Sequence, residues 1–238
     1  MKKIEELSVK IFADGADKSK MLEMYDKPFI KGLTTNPTLM RKAGITDYEY
    51  FAKDILTEIR DKPLSLEVFS DDFSEMERQA LKISEWGNNV YVKIPVTNTK
   101  AESSSALVRR LSDSGVKVNI TALTTLTQVR EAVGSLNPEV PSYVSVFAGR
   151  IADTGRDPIP LMVEAVEILR ENPQAELIWA SPRELLNVFQ ADVIGCQVIT
   201  VTDDILKKLE LVGYNLDKYS LDTVKMFYND ALQAAYSI

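Results

Sequence analysis

Val90-Tyr91-Val92-Lys93-Ile94-Pro95-Val96-Thr97 is the stretch whose reading decides the fold. Apolar residues, mostly β-branched, fill it, and polar Thr97-Asn98-Thr99 follow and lead toward a helix, so it reads as a buried strand. A lysine in the middle of such a run is out of place, because a buried ammonium needs a partner or a task. On an edge strand Lys93 would snorkel to water. On a central strand its amine is a candidate nucleophile for Schiff-base formation with a carbonyl. The surrounding chain decides between the two.

Working outward, short apolar runs recur at residues 11–14, 32–36, 64–69, 90–96, 117–121, 143–148, 177–180 and 197–202. Amphipathic stretches separate them. Thr46-Asp47-Tyr48-Glu49 and Ser74-Glu75-Met76-Glu77 have capping-box spacing. Pro158 and Asn172-Pro173 bracket a helix reaching Arg170, and a last helix is expected over 220–235. Eight strands, each followed by a helix, predict an α/β fold: a (β/α)₈ TIM barrel with an additional C-terminal helix, the whole of 1–238 forming one catalytic domain. The alternative is a doubly wound open sheet. Ten glycines and no G-x-G-x-x-G argue against its dinucleotide-binding form.

The totals narrow the function. The 238 residues carry a net charge of -7, which disfavours nucleic acid as a partner. No apolar run approaches the roughly 18 residues of a membrane span, and the charged N-terminus has no apolar core behind it, so a cytoplasmic protein without a secretory signal is expected. A single cysteine, Cys196, rules out an internal disulfide and a cysteine-cluster metal site. There is no histidine. Acid–base chemistry therefore falls to carboxylates, lysine, tyrosine or water held by them.

The two-residue period assigns faces along each strand. Val90, Val92 and Ile94 should meet the helices, with Tyr91, Lys93 and Pro95 pointing inward. The same rule turns Phe12 and Asp14 inward, then Thr34 and Asn36, then Ser65, Glu67 and Phe69. It also turns in Asn119 and Thr121, Ser145 and Phe147, and Trp179 and Ser181. Polar groups thus gather at the C-terminal ends of seven strands, where barrel active sites sit. Simple packing does not account for that convergence, and a non-catalytic binding barrel would have no need to keep a buried amine beside two carboxylates.

Several segments together carry a family resemblance: Phe12-Ala13-Asp14, Thr34-Thr35-Asn36-Pro37-Thr38, Glu67, Val92-Lys93-Ile94-Pro95, Asn119-Ile120-Thr121, Ser145-Val146-Phe147-Ala148-Gly149-Arg150 and Ala180-Ser181-Pro182-Arg183. Over essentially its whole length the chain resembles the transaldolase family of class I, Schiff-base aldolases. In size it is similar to the compact fructose-6-phosphate aldolase subgroup. The resemblance implies transfer of a dihydroxyacetone unit between sugar phosphates, as in the pentose phosphate pathway, by a homo-oligomer needing no cofactor and no metal. It implies that Lys93 forms the Schiff base and that Glu67 and Thr121 hold a catalytic water. Asp14 would exchange the proton of the C4 hydroxyl. Thr34, Asn36, Asn119, Ser145 and Phe147 would line the donor site, while Arg150, Ser181 and Arg183 would grip the phosphate. An aldolase that releases dihydroxyacetone, and a transaldolase for a ketose with another anionic group, are the alternatives. Aldolases of that kind typically carry glutamine and tyrosine where this chain has Glu67 and Phe147, which favours transfer.

Local readings accompany these roles. Asp14 is also a candidate helix cap, and Asn36-Pro37 an ordinary turn into a helix. Arg150 has Asp153 and Asp157 within reach as surface partners. Ser181-Pro182-Arg183-Glu184 reads as a capping box, so a helix N-terminus is expected beside Arg183 as a phosphate cradle.

Overall fold

The computed structural model describes residues 2–236. Its centre is a closed barrel of eight parallel strands in sequence order. They are β1 (Lys10–Asp14), β2 (Ile30–Thr34), β3 (Leu64–Glu67), β4 (Val90–Pro95), β5 (Val118–Leu123), β6 (Ser142–Val146), β7 (Ala175–Trp179) and β8 (Val198–Thr202). Eleven α-helices are described: α1 (Lys18–Tyr25), α2 (Pro37–Lys42), α3 (Tyr48–Glu58), α4 (Phe73–Ser84), α5 (Ser105–Asp113), α6 (Leu126–Ser135), α7 (Ala148–Asp153), α8 (Ile159–Leu169), α9 (Leu186–Val193), α10 (Asp203–Leu206) and α11 (Leu216–Gln233). The expected barrel with its C-terminal helix is therefore the observed architecture. Among the described residues no helix is long and apolar enough to cross a membrane.

Two apolar layers hold the barrel. The larger lies between strands and helices and takes Val90, Val92 and Ile94 from β4, and Leu64 and Leu66 from β3. The smaller fills the barrel interior with Phe12, Tyr91, Tyr143, Ile178, Ala180 and Val198, with Phe147 against it. Phe12 and Tyr143 meet edge to face at 5.5 Å, and Tyr91 and Tyr143 lie 4.3 Å apart. Gly32 makes room for this plug: a Cβ there would stand 2.5 Å from the Phe12 ring. These side chains fill the barrel interior.

Of seven inward assignments five hold in full; on β7 Trp179 turns outward although Ser181 reaches the cavity, and on β3 Phe69 departs. On β7 it is Ile178 and Ala180 that face the barrel axis, while Trp179 packs fully buried in the outer layer. A strand apolar on both faces carries no alternation signal. Three aromatic rings, Phe12, Tyr91 and Tyr143, already occupy the interior. Phe69 also departs from expectation. β3 stops at Glu67, the Gln79 amide oxygen takes the N–H groups of Phe69 and Ser70, and the Phe69 ring ends half-exposed on Tyr48.

Helix starts differ from the capping-box reading in the same local way. Asp47 rather than Thr46 caps α3, accepting from the Tyr50 N–H, and Asp72 rather than Ser74 caps α4, accepting from Glu75. In each case a nearby carboxylate, one residue after Thr46 and two before Ser74, takes the free N–H groups in place of the hydroxyl. α11 begins earlier than expected, at an Asn215 cap. It buries none of its residues, and Leu216, Val224, Phe227 and Tyr228 all stand exposed.

Candidate active site

At the C-terminal ends of the strands a cavity of about 550 Å³ opens to solvent. Lys93 rises into it from the middle of β4, only 7% exposed. Register places Glu67 and Asn119 beside it on β3 and β5. Its amine donates to the Thr35 carbonyl at 2.9 Å and stands 3.2 Å from Glu67 Oε2. The edge-strand, snorkelling alternative is thus excluded. A neighbouring cleft of about 540 Å³ shares Asp14, Leu39 and Lys42 with this one, but its lysines, Lys20 and Lys42, are exposed. The buried amine marks the first cavity as the candidate site.

Asp14 ends β1 on the other side of the amine. It accepts from the Thr34 hydroxyl at 2.8 Å, and that hydroxyl also meets Thr200 Oγ1 at 2.5 Å. One face of Asp14 looks into the cavity, while the protein encloses the rest. The resulting loss of hydration pushes its carboxyl above the ordinary carboxylate range. The Lys93 charge and the Thr34 hydrogen bond oppose the shift, and the Glu67 charge adds to it. Asp14 does not cap a helix; Asp17 caps α1.

A polar chain crosses the cavity floor: Ser145 Oγ donates to Asn119 Oδ1 at 2.7 Å, and Asn119 Nδ2 donates to Ser65 Oγ at 3.0 Å. This fixes the asparagine's orientation. Thr121 Oγ1 is buried with no hydrogen-bond partner among the described residues, although a buried hydroxyl nearly always has one. It lines the same cavity as Lys93 and Glu67, in a place suited to a bridging water. Asn36 caps α2, its Oδ1 accepting from Leu39 N–H at 3.0 Å, with Pro37 first in the helix. Its amide NH₂ is the part left for a ligand.

The opposite rim is cationic. Arg150, on α7, lies over the Phe147 ring with 5.9 Å from guanidinium carbon to ring centroid, and makes no ion pair among the described residues. Asp153 instead pairs with Arg183, which donates through Nε at 3.0 Å and through a second, shorter bond from Nη2. That contact holds the Asp153 carboxyl below its ordinary range. Ser181 also lines the rim, at φ 61° in the left-handed region. Such a backbone is uncommon for a serine. Ala122, at φ 68°, lines the cavity where the β5–β6 register shifts. Gly149 lets α7 press on this turn, since a Cβ there would fall 1.5 Å from the Ser181 carbonyl oxygen.

The predicted capping box at Ser181 is not formed. α9 starts later, and Asn187 Oδ1 takes the N–H groups of Arg183 and Glu184. The rim thus offers guanidinium groups and a hydroxyl rather than a helix terminus. All twelve residues singled out in the sequence line this one cavity: Asp14, Thr34, Asn36, Glu67, Lys93, Asn119, Thr121, Ser145, Phe147, Arg150, Ser181 and Arg183. Sequence reasoning missed Thr200 and the Thr35 carbonyl. Alternation along β8 would have found the first, since Val198 lies inward two residues earlier. Nothing local signals the second. Among the described residues no three His, Cys, Asp or Glu side chains gather to hold a metal ion.

Comparison with known proteins points one way. The sequence profile of the Transaldolase/Fructose-6-phosphate aldolase family matches residues 11–238. A protein of Thermoanaerobacter sp. named "Probable transaldolase" is 35% identical over 218 residues, 91% of this chain and 95% of its own length. One of Sulfurihydrogenibium sp. with the same name is 33% identical over 224 residues, 90% of this chain and 96% of its own. In structure, the chain is similar to the 3-keto-L-gulonate-6-phosphate decarboxylase of Vibrio cholerae, with a TM-score of 0.54 at 11% identity over 82% of this chain and 88% of that one, a likeness of fold alone.

Proposed function

The chain belongs to the transaldolase/fructose-6-phosphate aldolase family, and from that premise we propose that it is a transaldolase, passing a dihydroxyacetone unit between sugar phosphates through a Schiff base on Lys93. The observation that carries this reading is the buried Lys93 amine, 3.2 Å from Glu67, in a cavity that also holds Asp14.

In the proposed reaction Lys93 gives up a proton to Glu67 and attacks the C2 carbonyl of fructose 6-phosphate. The carbinolamine loses its oxygen as water, with the proton supplied through a water held between Glu67 and the unpartnered Thr121 hydroxyl. The resulting iminium is the electron sink. Asp14 takes the proton of the C4 hydroxyl, the C3–C4 bond breaks, and its electron pair moves into the iminium to give an enamine while an aldose phosphate leaves. The enamine then adds to an acceptor aldehyde such as erythrose 4-phosphate, and Asp14 returns the proton to the new hydroxyl. Hydrolysis by the relayed water releases the product ketose, sedoheptulose 7-phosphate. Two carboxylates in unlike surroundings divide the proton work. Asn36, Asn119 and Ser145 are placed to bind hydroxyls of the three-carbon unit, with Thr34 steadying Asp14. The guanidinium groups of Arg150 and Arg183, with Ser181, are suited to an anion.

Phe147 supports transfer over release of free dihydroxyacetone, because its ring gives water no hydrogen bond. The exposed apolar residues of α11 support assembly into a homo-oligomer. In this reading the whole chain, 1–238, is one catalytic domain acting in the cytoplasm. The test is borohydride reduction in the presence of fructose 6-phosphate, followed by mass spectrometry of the digest. A reduced adduct on the Lys93 peptide is expected; a label on another lysine, or none, would overturn the assignment.

A further inference from the structure

The sheet has a gap beside the reacting amine. β2 ends at Thr34, and the chain then leaves for α2, so its pairing with β3 extends no further than Thr34 with Ser65 and the Thr35 N–H on the Ser65 carbonyl at 3.3 Å. In a strand the N–H and C=O of one residue point to the same side. Ser65 spends its pair on β2, so Glu67, two residues on, turns both groups of its backbone toward a neighbour that is no longer there. On its other side β3 stays joined to β4, where the Val68 N–H reaches the Lys93 carbonyl at 3.2 Å.

One hydroxyl closes that gap. Tyr48 Oη accepts from the Glu67 N–H at 2.9 Å and donates to the Glu67 carbonyl at 3.1 Å. It stands in for the missing strand. The phenol is held rigid by Phe69, edge to face at 4.3 Å, and by Trp86 at 5.9 Å. It is the first residue of α3, after the Asp47 cap. The hydroxyl touches neither Lys93 nor the Glu67 carboxylate, yet it fixes the backbone from which that carboxylate reaches the amine.

We infer that Tyr48 is a positioning residue for Glu67, setting the carboxylate at its distance from Lys93. The inference rests on the Schiff-base reading of this site and deepens it. Tyr48→Phe keeps the ring and its packing and leaves two backbone groups at the end of β3 without their partner. The Glu67 carboxylate then loses its placement, and the proton transfers that make and hydrolyse the imine slow down. Substrate contacts at Asp14, Asn36 and the arginines are untouched.

The experiment is a double-mutant cycle on transfer activity with fructose 6-phosphate and erythrose 4-phosphate. Tyr48→Phe should lower kcat about tenfold, the size expected when buried backbone groups lose their partner, with KM within about twofold of wild type. In a Glu67→Ala background, where no carboxylate remains to be placed, the same substitution should change kcat less than about twofold. An equal loss in both backgrounds, or a change in KM alone, would overturn the inference. A second measurement needs no variant: amide hydrogen exchange at Glu67 in the wild type should be slow, and exchange at the rate of an exposed loop would overturn it even if Tyr48→Phe failed to fold. A wild type that traps no sugar on borohydride reduction would sink the Schiff-base reading instead, and does so without reference to Tyr48.

Discussion

Lys93 and Arg183 line the same cavity, yet their settings are opposites. The lysine side chain is 9% exposed and is held by a backbone carbonyl and a carboxylate from adjacent strands. The arginine side chain is 47% exposed and pairs with an equally wet Asp153 on a short helix. Charges in the dry half interact strongly, because the protein around them cannot reorient as water does. Charges on the rim keep their hydration, and their ion pair is worth little to stability. In the proposed reaction the dry half is where bonds change, and at the wet rim an anion would replace Asp153 as the partner of Arg183 at small cost.

The contrast breaks most sharply at the lysine. Lys93→Met should leave the fold intact by circular dichroism and lower turnover by roughly 10³-fold or more, since the covalent route disappears. Near-normal turnover would mean that the dry half is merely structural.

Asp14 sharpens the contrast through its own ionisation. Asp14→Asn should cost about 10²- to 10⁴-fold in kcat, the usual share of a general base. Stability should move the other way. A carboxyl whose pKa is raised by folding binds a proton more tightly in the native state than in the unfolded one. Stability is therefore lost as pH rises through the raised value, and the penalty is fully present above it. Asn escapes that penalty while still accepting from Thr34. Thermal unfolding should show the variant more stable than wild type at neutral pH, with the gain fading toward the unfolded-state value of about 3.9. A variant less stable at neutral pH would contradict the desolvation account.

At the rim the effects should be smaller and should fall on binding. Arg150→Ala or Arg183→Ala should each cost about 2–4 kcal/mol in kcat/KM with phosphorylated acceptors, and far less with glyceraldehyde. Equal losses for both acceptors would assign the arginines to structure, a role that the Asp153 contact already offers Arg183.

The smallest effect sits where the halves meet, at Phe147, whose ring lies over the aromatic floor and under Arg150. Phe147→Tyr adds one hydroxyl close to where the proposed relayed water would lie. It should raise release of dihydroxyacetone relative to transfer by about 2- to 10-fold, the worth of one neutral hydrogen bond. The ratio of the two activities in wild type and variant is the measurement. A wild type that releases as fast as it transfers would move the enzyme to the aldolase branch of the family.

The site was largely legible in the sequence because most of its residues stand on strands with an alternation signal. β4 announces itself by a lysine between Val92 and Ile94, and β5 by Asn119 and Thr121 around Ile120. β7 carries no such signal, so its phase cannot be read from alternation. The rim was read by motif, so its residues were found while its geometry was not: Arg183 pairs with Asp153, and no helix starts at Ser181.

Strand number and order of type, the inward set on five strands and the chemical inventory followed from the sequence itself, because side-chain alternation and the lack of histidine are properties of the chain alone. Tertiary structure decided the rest. Whether Trp179 or Ile178 enters the barrel depends on space that Phe12, Tyr91 and Tyr143 have already filled. That Tyr48 serves the backbone of Glu67 depends on β2 ending two residues before β3 does. That α11 buries none of its residues is likewise visible only in the fold. The first two are settled by competition among distant segments for one volume or one hydrogen bond, and no window of sequence contains all the competitors.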